Sequence, residues 1–152
     1  MIRYSNYLVT LTEVPDEVSL CFNIANCPCK CKGCFEPWLQ EDKGYFLDFE
    51  VIKILKSYYI SCICFMGGDG NVDELRDLLT QCRKTWPNIK LAMYSGKPYM
   101  NEKLAPLLDY YKVGPYMSEY GPLNNPETNQ RFYKKEDSEW IDITHRFYDK
   151  TV

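Results

Sequence analysis

Three cysteines at the spacing C-x₃-C-x₂-C constrain this chain more than any other feature of its sequence. Cys27, Cys31 and Cys34 follow directly on an apolar, β-rich segment, residues 18–24. Three thiolates on one short loop can hold three irons of a 4Fe-4S cluster, which leaves the fourth iron open to a small molecule. Most iron–sulfur electron carriers instead close the cluster with four cysteines. The triplet therefore favours a cluster that does chemistry at its open iron.

A tetrahedral zinc site is the main competing interpretation of these cysteines. Cys29 lies in the same loop, so four thiols stand within residues 27–34 and could surround one zinc ion. Structural zinc sites usually take their ligands as two spaced pairs, and this tight run does not have that form. We expect Cys29 to be a bystander. The spacing alone leaves zinc and unligated cysteines open as alternatives.

Length and composition limit the class of protein. The chain has 152 residues, which predicts a single domain over residues 1–152, and its 45% hydrophobic content is typical of a globular fold. A net charge of −3 gives no electrostatic basis for binding nucleic acid. No apolar run is long enough to span a bilayer and no signal peptide is evident, so we expect a cytoplasmic protein without a membrane partner.

The remaining cysteines have a simpler explanation. Cytoplasmic cysteines seldom form disulfides, and free cysteine is among the most buried residue types. We therefore expect Cys21, Cys62, Cys64 and Cys82 to pack in the core.

Strand-like and helix-like segments alternate along the chain. Apolar runs at residues 18–24, 60–66, 89–94 and 111–113 predict buried strands. Helical patterns lie between them: one is capped by Asp48 and runs to about Tyr59, one begins at Asn71 with Glu74 completing a capping box, and one spans residues 101–110. This alternation predicts an α/β fold with a mostly parallel sheet and right-handed crossovers.

Each unusual loop follows one of these strands. In parallel α/β sheets, ligands bind at the carboxyl ends of the strands, where the loops gather. The runs Gly67-Gly-Asp-Gly70, Tyr94-Ser-Gly96 and Gly114-Pro-Tyr116 should therefore lie at the same edge as the cysteine loop. Glycine lets the backbone approach a ligand closely, and Asp69 adds a carboxylate that could accept an ammonium group.

Taken together, these motifs resemble those of radical S-adenosylmethionine (SAM) enzymes. The run Cys31-Lys-Gly-Cys-Phe-Glu-Pro37 is similar to the ending of the cysteine motif in glycyl-radical activating enzymes. Phe65-Met-Gly-Gly-Asp69, Tyr94-Ser-Gly96 and above all Thr128-Asn-Gln-Arg131 are similar to the anaerobic ribonucleoside-triphosphate reductase activating proteins. The resemblance covers roughly residues 18–131.

The resemblance implies a fold, cofactors and partners. The fold would be a truncated radical SAM domain, a partial (βα) barrel. A 4Fe-4S cluster on Cys27, Cys31 and Cys34 would bind SAM at its open iron and cleave it reductively. The resulting radical would take a hydrogen atom from a glycine of anaerobic (class III) ribonucleotide reductase, with electrons from a flavodoxin- or ferredoxin-type donor.

The resemblance also implies which residues bind the cofactors. Matched position by position, the SAM-binding residues would be Gly67, Gly68, Asp69, Tyr94, Ser95, Asn129 and Arg131. No side chain is assigned a catalytic role, because the hard chemistry belongs to the cofactors.

Three other functions remain as alternatives. One is an activase for another glycyl-radical enzyme, such as pyruvate formate-lyase. The second, from a different class, is a zinc-stabilised interaction module. The third is a ferredoxin-like electron carrier, whose cluster would not respond to SAM.

Overall fold

A computed structural model describes residues 1–29, 37 and 41–149 of the chain. Over these residues the chain forms an eight-stranded sheet with two α-helices. The strands are β1 (Arg3–Thr10), β2 (Ser19–Ile24), β3 (Tyr45–Phe46), β4 (Cys62–Met66), β5 (Lys90–Tyr94), β6 (Tyr110–Val113), β7 (Arg131–Glu136) and β8 (Glu139–Asp142). The helices are α1 (Phe49–Leu55) and α2 (Val72–Thr85), and 3₁₀ turns occur at Ala105–Leu107 and Thr144–Phe147. Neither α-helix has the length and apolarity that crossing a membrane requires, as far as the chain is described.

The sheet is mixed, so the predicted partial (βα) barrel with a mostly parallel sheet is wrong. The strand order is β3-β1-β2-β4-β5-β6-β7-β8. The four predicted strands do form a parallel centre, β2-β4-β5-β6. However, β1 and β3 flank this centre on one side and β7 and β8 on the other, and all four of their pairings are antiparallel.

A short connection explains the outermost antiparallel pairing, between β7 and β8. A parallel neighbour needs a crossover of a dozen or more residues, usually a helix, whereas an antiparallel neighbour can follow a tight turn. Asp137 and Ser138 form a two-residue turn between β7 and β8 with φ values of 48° and 68°. Positive φ at both central positions is the type I′ geometry that closes a hairpin.

The helix predictions had mixed outcomes. Asp48 caps α1 as expected, since its Oδ1 accepts a hydrogen bond from the Val51 N–H at 3.0 Å. The capping box of α2 is absent: the Asn71 side chain makes no cap hydrogen bond, and Glu74 instead accepts the Ile2 N–H and the N-terminal ammonium. Residues 101–110 contain a single 3₁₀ turn rather than an α-helix, because Pro106 interrupts helical hydrogen bonding.

The two faces of the sheet bury different side chains. One face packs against α1 and α2 and forms the larger core, which includes Phe22, Phe65 and the α2 residue Leu79. The opposite face forms a smaller cluster that contains Cys21, Cys62 and Cys64. Cys82 is buried on α2, so the prediction that these four cysteines pack in the core is confirmed. Burial raises the pKa of Cys62 and Cys64, so both stay protonated thiols.

Replacing Leu79 with Ala tests the larger core. Leu79 is fully buried between α2 and the sheet, so Leu79→Ala should lower the free energy of unfolding by about 2–5 kcal/mol, because it leaves a cavity. The matched control is Ile54→Ala on α1, whose side chain is 81% exposed and which should change stability by less than about 0.5 kcal/mol. Urea denaturation of the two variants measures the difference, and equal losses would contradict the described packing.

Candidate functional site

Asp69 lies where three strand-end loops meet. The loops follow β2, β4 and β5, whose parallel alignment brings their carboxyl ends to one edge of the sheet. The Ser95 hydroxyl donates to the Asp69 carboxylate, at 2.8 Å from Oδ1 and 2.9 Å from Oδ2. The Gly96 N–H also donates to Oδ2 at 3.3 Å, and the Cys29 thiol donates to Oδ2 at 3.9 Å. The carboxylate therefore joins the cysteine loop to the loop after β5.

Backbone hydrogen bonds extend this row of loops along the sheet edge. The Gly67 N–H donates to the Tyr94 carbonyl at 2.9 Å, which ties the loop after β4 to the end of β5. The Gly114 N–H donates to the Lys97 carbonyl at 2.7 Å, which ties the loop after β6 to the loop after β5. The expectation that these loops share one edge is therefore correct for the described residues.

Gly67 and Gly68 bend the chain at the end of β4. Their φ values are 120° and 117°, a region in which residues with a Cβ are strained. The turn carries the chain directly from β4 into α2, since the Asn71 N–H donates to the Gly68 carbonyl at 3.0 Å. This turn brings Asp69 back over the strand ends, where it meets Ser95.

Gly96 permits the cysteine loop to approach the end of β5. A Cβ added at Gly96 would lie 2.6 Å from the Cys29 Sγ and 2.9 Å from its Cβ. Those distances are much shorter than van der Waals contact, so a larger residue at this position would force the loop to move. The sequence did not identify this contact, because Gly96 is separated from Cys29 by more than sixty residues.

Cys27 and Cys29 are both partly buried free thiols at this edge. Burial raises the pKa of the Cys29 thiol to about 12, and the nearby Cys27 and Asp69 add to the shift. In the absence of metal, Cys29 therefore keeps its proton at neutral pH and donates it to Asp69. Cys31 and Cys34 lie outside the described residues, and the described ones contain no group of three or more metal-binding side chains.

Tyr94 and Ser95 differ in where their side chains lie. Ser95 is buried, with 1% of its surface exposed, and its hydroxyl reaches Asp69. The Tyr94 hydroxyl instead donates to the Glu13 carbonyl, and its ring packs edge-on against Phe132 at 5.8 Å between centroids. Burial raises the pKa of Tyr94 well above its usual value.

Asn129 and Arg131 lie further along the same edge, where β7 begins. Asn129 Nδ2 donates to the Pro115 carbonyl at 3.0 Å, while its Oδ1 is buried and has no hydrogen-bond partner among the described residues. The Arg131 guanidinium donates to the Thr128 carbonyl at 3.2 Å and lies 3.7 Å from Asp142. Two strand spacings, about 10 Å, separate β7 from β5, so Asn129 and Arg131 lie beyond the described contact between Cys29 and Gly96.

Asn26 is a site residue that the sequence analysis missed. It adopts φ = 64° immediately before Cys27, a left-handed conformation that Asn tolerates better than most residues. Its Nδ2 donates to Asn71 Oδ1 at 3.4 Å, which links the start of the cysteine loop to the start of α2. An Asn directly before the first cysteine was the available signal, but its partner could not be predicted from sequence.

The donor set fits an iron–sulfur cluster better than a zinc ion. Thiolates are the ligands of 4Fe-4S clusters, and Cys27 lies at the loop edge from which Cys31 and Cys34 follow in sequence. The fourth thiol that a Cys₄ zinc site would need is Cys29, and it is directed toward the Asp69 carboxylate, which repels a thiolate. Of the three predicted ligands the described residues include Cys27 alone, and the contacts of Cys29 favour its role as a neighbour of the site.

The comparisons with known proteins point to the same cofactor. A family model described as "4Fe-4S single cluster domain" matches residues 18–132, which is most of the chain and runs from the segment before β2 into β7. No curated protein and no solved structure matches the chain.

Substituting Gly96 tests whether the cysteine loop must approach β5 this closely. Gly96→Ala should reduce the iron and labile sulfide retained after anaerobic reconstitution, because the added methyl group displaces Cys29 and with it the loop that carries Cys27. Cys29→Ala is the matched control, and it should retain the cluster because it removes a neighbour rather than a ligand. Full cluster content in Gly96→Ala would show that the loop binds iron without this contact.

Proposed function

The chain belongs to the family of 4Fe-4S single cluster domains, and from that membership we propose that it is a radical SAM activase. Cys27, Cys31 and Cys34 would hold the cluster. Bound there, the cluster supplies an electron of low potential to SAM. The product of the reaction would be a glycyl radical in anaerobic (class III) ribonucleotide reductase.

The position of Asp69 is the observation that carries this proposal. An activase must hold an amino acid group beside the cysteine loop, and that group needs an anionic partner for its ammonium. Asp69 provides a carboxylate within 3.9 Å of the Cys29 thiol, at the edge where Cys27 lies. A simple electron carrier has no ligand to hold, so it needs no carboxylate oriented beside its cluster.

Hydrogen bonds orient this carboxylate before any ligand arrives. Ser95 and the Gly96 N–H fix the position of Asp69, so little conformational freedom would be lost when an ammonium binds. Gly67 and Gly68 would let the backbone come close to the methionyl group. Tyr94 would contribute through its backbone, which fixes Gly67, since its hydroxyl already reaches Glu13.

Asn129 and Arg131 would act at the far side of the ligand. Asn129 Oδ1 is a buried acceptor without a described partner, and such a group costs free energy unless a donor reaches it. The nucleoside part of SAM, bound along the sheet edge, would offer hydroxyl and amino donors to Asn129 Oδ1. Arg131 would offer a cation for the carboxylate of SAM or for the protein substrate.

The overall reaction consumes one electron for each hydrogen atom that is removed from the glycine. One SAM and one electron are consumed, methionine and 5′-deoxyadenosine are released, and the glycine loses one hydrogen atom. A flavodoxin- or ferredoxin-type protein would supply the electron. A sheet that does not close into a barrel leaves the site accessible to a protein substrate.

Anaerobic reconstitution followed by electron paramagnetic resonance (EPR) tests the proposal. The reduced protein should show a cluster signal that changes when SAM is added, and methionine and 5′-deoxyadenosine should form. Cys27→Ala should abolish both the signal and the cleavage. A colourless protein that contains zinc would support the interaction module, and a cluster indifferent to SAM would support the electron carrier.

Adding the candidate substrate proteins shows which of them receives the radical. With the anaerobic reductase present, a glycyl radical should appear in its EPR spectrum. If pyruvate formate-lyase acquires the radical and the reductase does not, the alternative activase assignment is correct.

Replacing Asp69 separates SAM binding from cluster binding. Asp69→Asn should retain the cluster but weaken SAM binding by about 10–100-fold, since a hydrogen bond to a charged group contributes about 1.5–3 kcal/mol. Asp73→Asn is the matched control, because Asp73 is an exposed residue of α2 whose carboxylate lies 3.2 Å from the Lys103 ammonium. The measurement is a titration of the EPR signal with SAM, and equal affinities for the two variants would contradict the role given to Asp69.

A further inference from the structure

Cys29 has no part in the proposed chemistry, although it lies between two of the proposed cluster ligands in the sequence. It does not belong to the hydrophobic core either. The four core cysteines are buried, whereas Cys27 and Cys29 are only partly buried. Oxidation of a thiol requires access, so Cys27 and Cys29 are the described thiols that a small oxidant can reach.

The contacts of Cys29 keep its sulfur next to that of Cys27. The two thiols are hydrogen-bonded to one another. On its other side the Cys29 thiol meets the Asp69 carboxylate at 3.9 Å, and the missing Cβ of Gly96 leaves room for it against the end of β5. The pairing of the two thiols therefore follows from the packing around Cys29 as well as from its place in the sequence.

The backbone between the two cysteines suits a disulfide. Pro28 separates them, and the chain bends there. Proline fixes φ at about −65°, and a chain in the polyproline conformation rises about 3.1 Å per residue, so Cα atoms two positions apart lie about 6 Å from one another. Disulfides join residues whose Cα atoms are about 4.4–6.8 Å apart. An S–S bond between Cys27 and Cys29 would therefore need little movement of the backbone.

The spacing of the other cysteines of the loop leaves Cys27 as the ligand in need of a partner. Cys31 and Cys34 stand at the spacing C-x₂-C, which is typical of redox-active cysteine pairs. Three ligands are an odd number, so one of them has no second ligand with which to pair. Cys29 makes the number of thiols in the loop even, and its contact is with Cys27.

We propose that Cys27 and Cys29 form a disulfide when the cluster is absent and a peroxide is present, and that this bond keeps Cys27 in a form that a dithiol can return to the cluster site. The inference rests on the proposed function, because it concerns Cys27 as a cluster ligand, and it assigns a redox modification to the same site. One peroxide molecule takes two electrons and both thiol hydrogens: its O–O bond breaks, the S–S bond forms, and two water molecules leave. A dithiol returns two electrons and two hydrogens and is itself oxidised to a disulfide.

The disulfide would preserve a ligand that is otherwise lost. Peroxide converts a thiol to a sulfenic acid, and further oxidation gives a sulfinic acid, which dithiols do not reduce. A neighbouring thiol condenses with the sulfenic acid and forms a disulfide instead. Cys29 lies in that position beside Cys27, so a cluster destroyed by oxidation could be rebuilt on the same cysteines.

Treatment of the cluster-free protein with hydrogen peroxide tests the inference. After the remaining thiols are alkylated in denaturant, trypsin releases residues 4–30 as one peptide, which holds Cys27 and Cys29 but not Cys31. In mass spectrometry this peptide should carry an alkyl group on Cys21 alone and should lack two hydrogen atoms. A peptide in which Cys29 is joined to Cys31, or in which Cys27 is alkylated, would overturn the inference.

Recovery of the cluster gives a second readout. After peroxide, then dithiothreitol, then anaerobic reconstitution, the unchanged protein should regain its iron and labile sulfide, whereas Cys29→Ala should lose most of both because Cys27 has passed to the sulfinic acid. Cys82→Ala is the matched control, since it removes a buried thiol of α2, and it should recover as the unchanged protein does. Without peroxide, all three proteins should load the cluster equally.

The inference and the proposed function fail in different assays. If the loaded protein cleaves SAM but no disulfide joins Cys27 to Cys29, or if Cys29→Ala recovers its cluster as fully as Cys82→Ala, the inference is wrong and the proposed function stands. If the disulfide forms and the loaded protein cleaves no SAM, the proposed function fails and the redox modification stands.

Discussion

The hydrogen bonds from Ser95 to the Asp69 carboxylate join the parts of the site that the fold brings together. Ser95 directly follows one parallel strand, β5, and Asp69 follows the glycine turn at the end of another, β4. The same carboxylate reaches the Cys29 thiol, so three loops far apart in sequence share one anionic group. Partly buried and hydrogen-bonded on one side, Asp69 keeps its position while still offering negative charge to a ligand.

The parallel centre of the sheet produces this arrangement without any special loop structure. Three strand pairings in the same direction place four carboxyl ends side by side, which brings together the loops that leave those ends. Gly67 and Gly68 then turn the chain sharply, and Gly96 leaves room for the cysteine loop. The antiparallel flanks widen the sheet instead of closing it.

Those parts of the structure that bury continuous apolar runs could be predicted from the sequence. The strands β2, β4, β5 and β6 are of this kind. The helix α2 follows from its apolar stripe at helical spacing, and the edge at which the loops gather follows from the parallel direction of the strands. The outer strands could not be predicted: β7 carries Arg131, Lys134 and Lys135, and its one fully buried side chain is Phe132. Such a strand is fixed by its neighbour and its turn rather than by its own hydrophobicity. The contacts of Glu74 and Asn26 also depend on residues distant in sequence, so local patterns misassigned the first and missed the second.

The central claim is that a cluster held by three cysteines binds the amino acid end of SAM beside Asp69. Electron–nuclear double resonance of the reduced protein, with SAM labelled by ¹⁵N at its amino group, tests this claim directly. The account predicts hyperfine coupling between the cluster and the labelled nitrogen, and in Asp69→Asn that coupling should need about 10–100-fold more SAM to develop. A fully loaded cluster that shows no coupling, with a fourth protein ligand on its last iron, would contradict it.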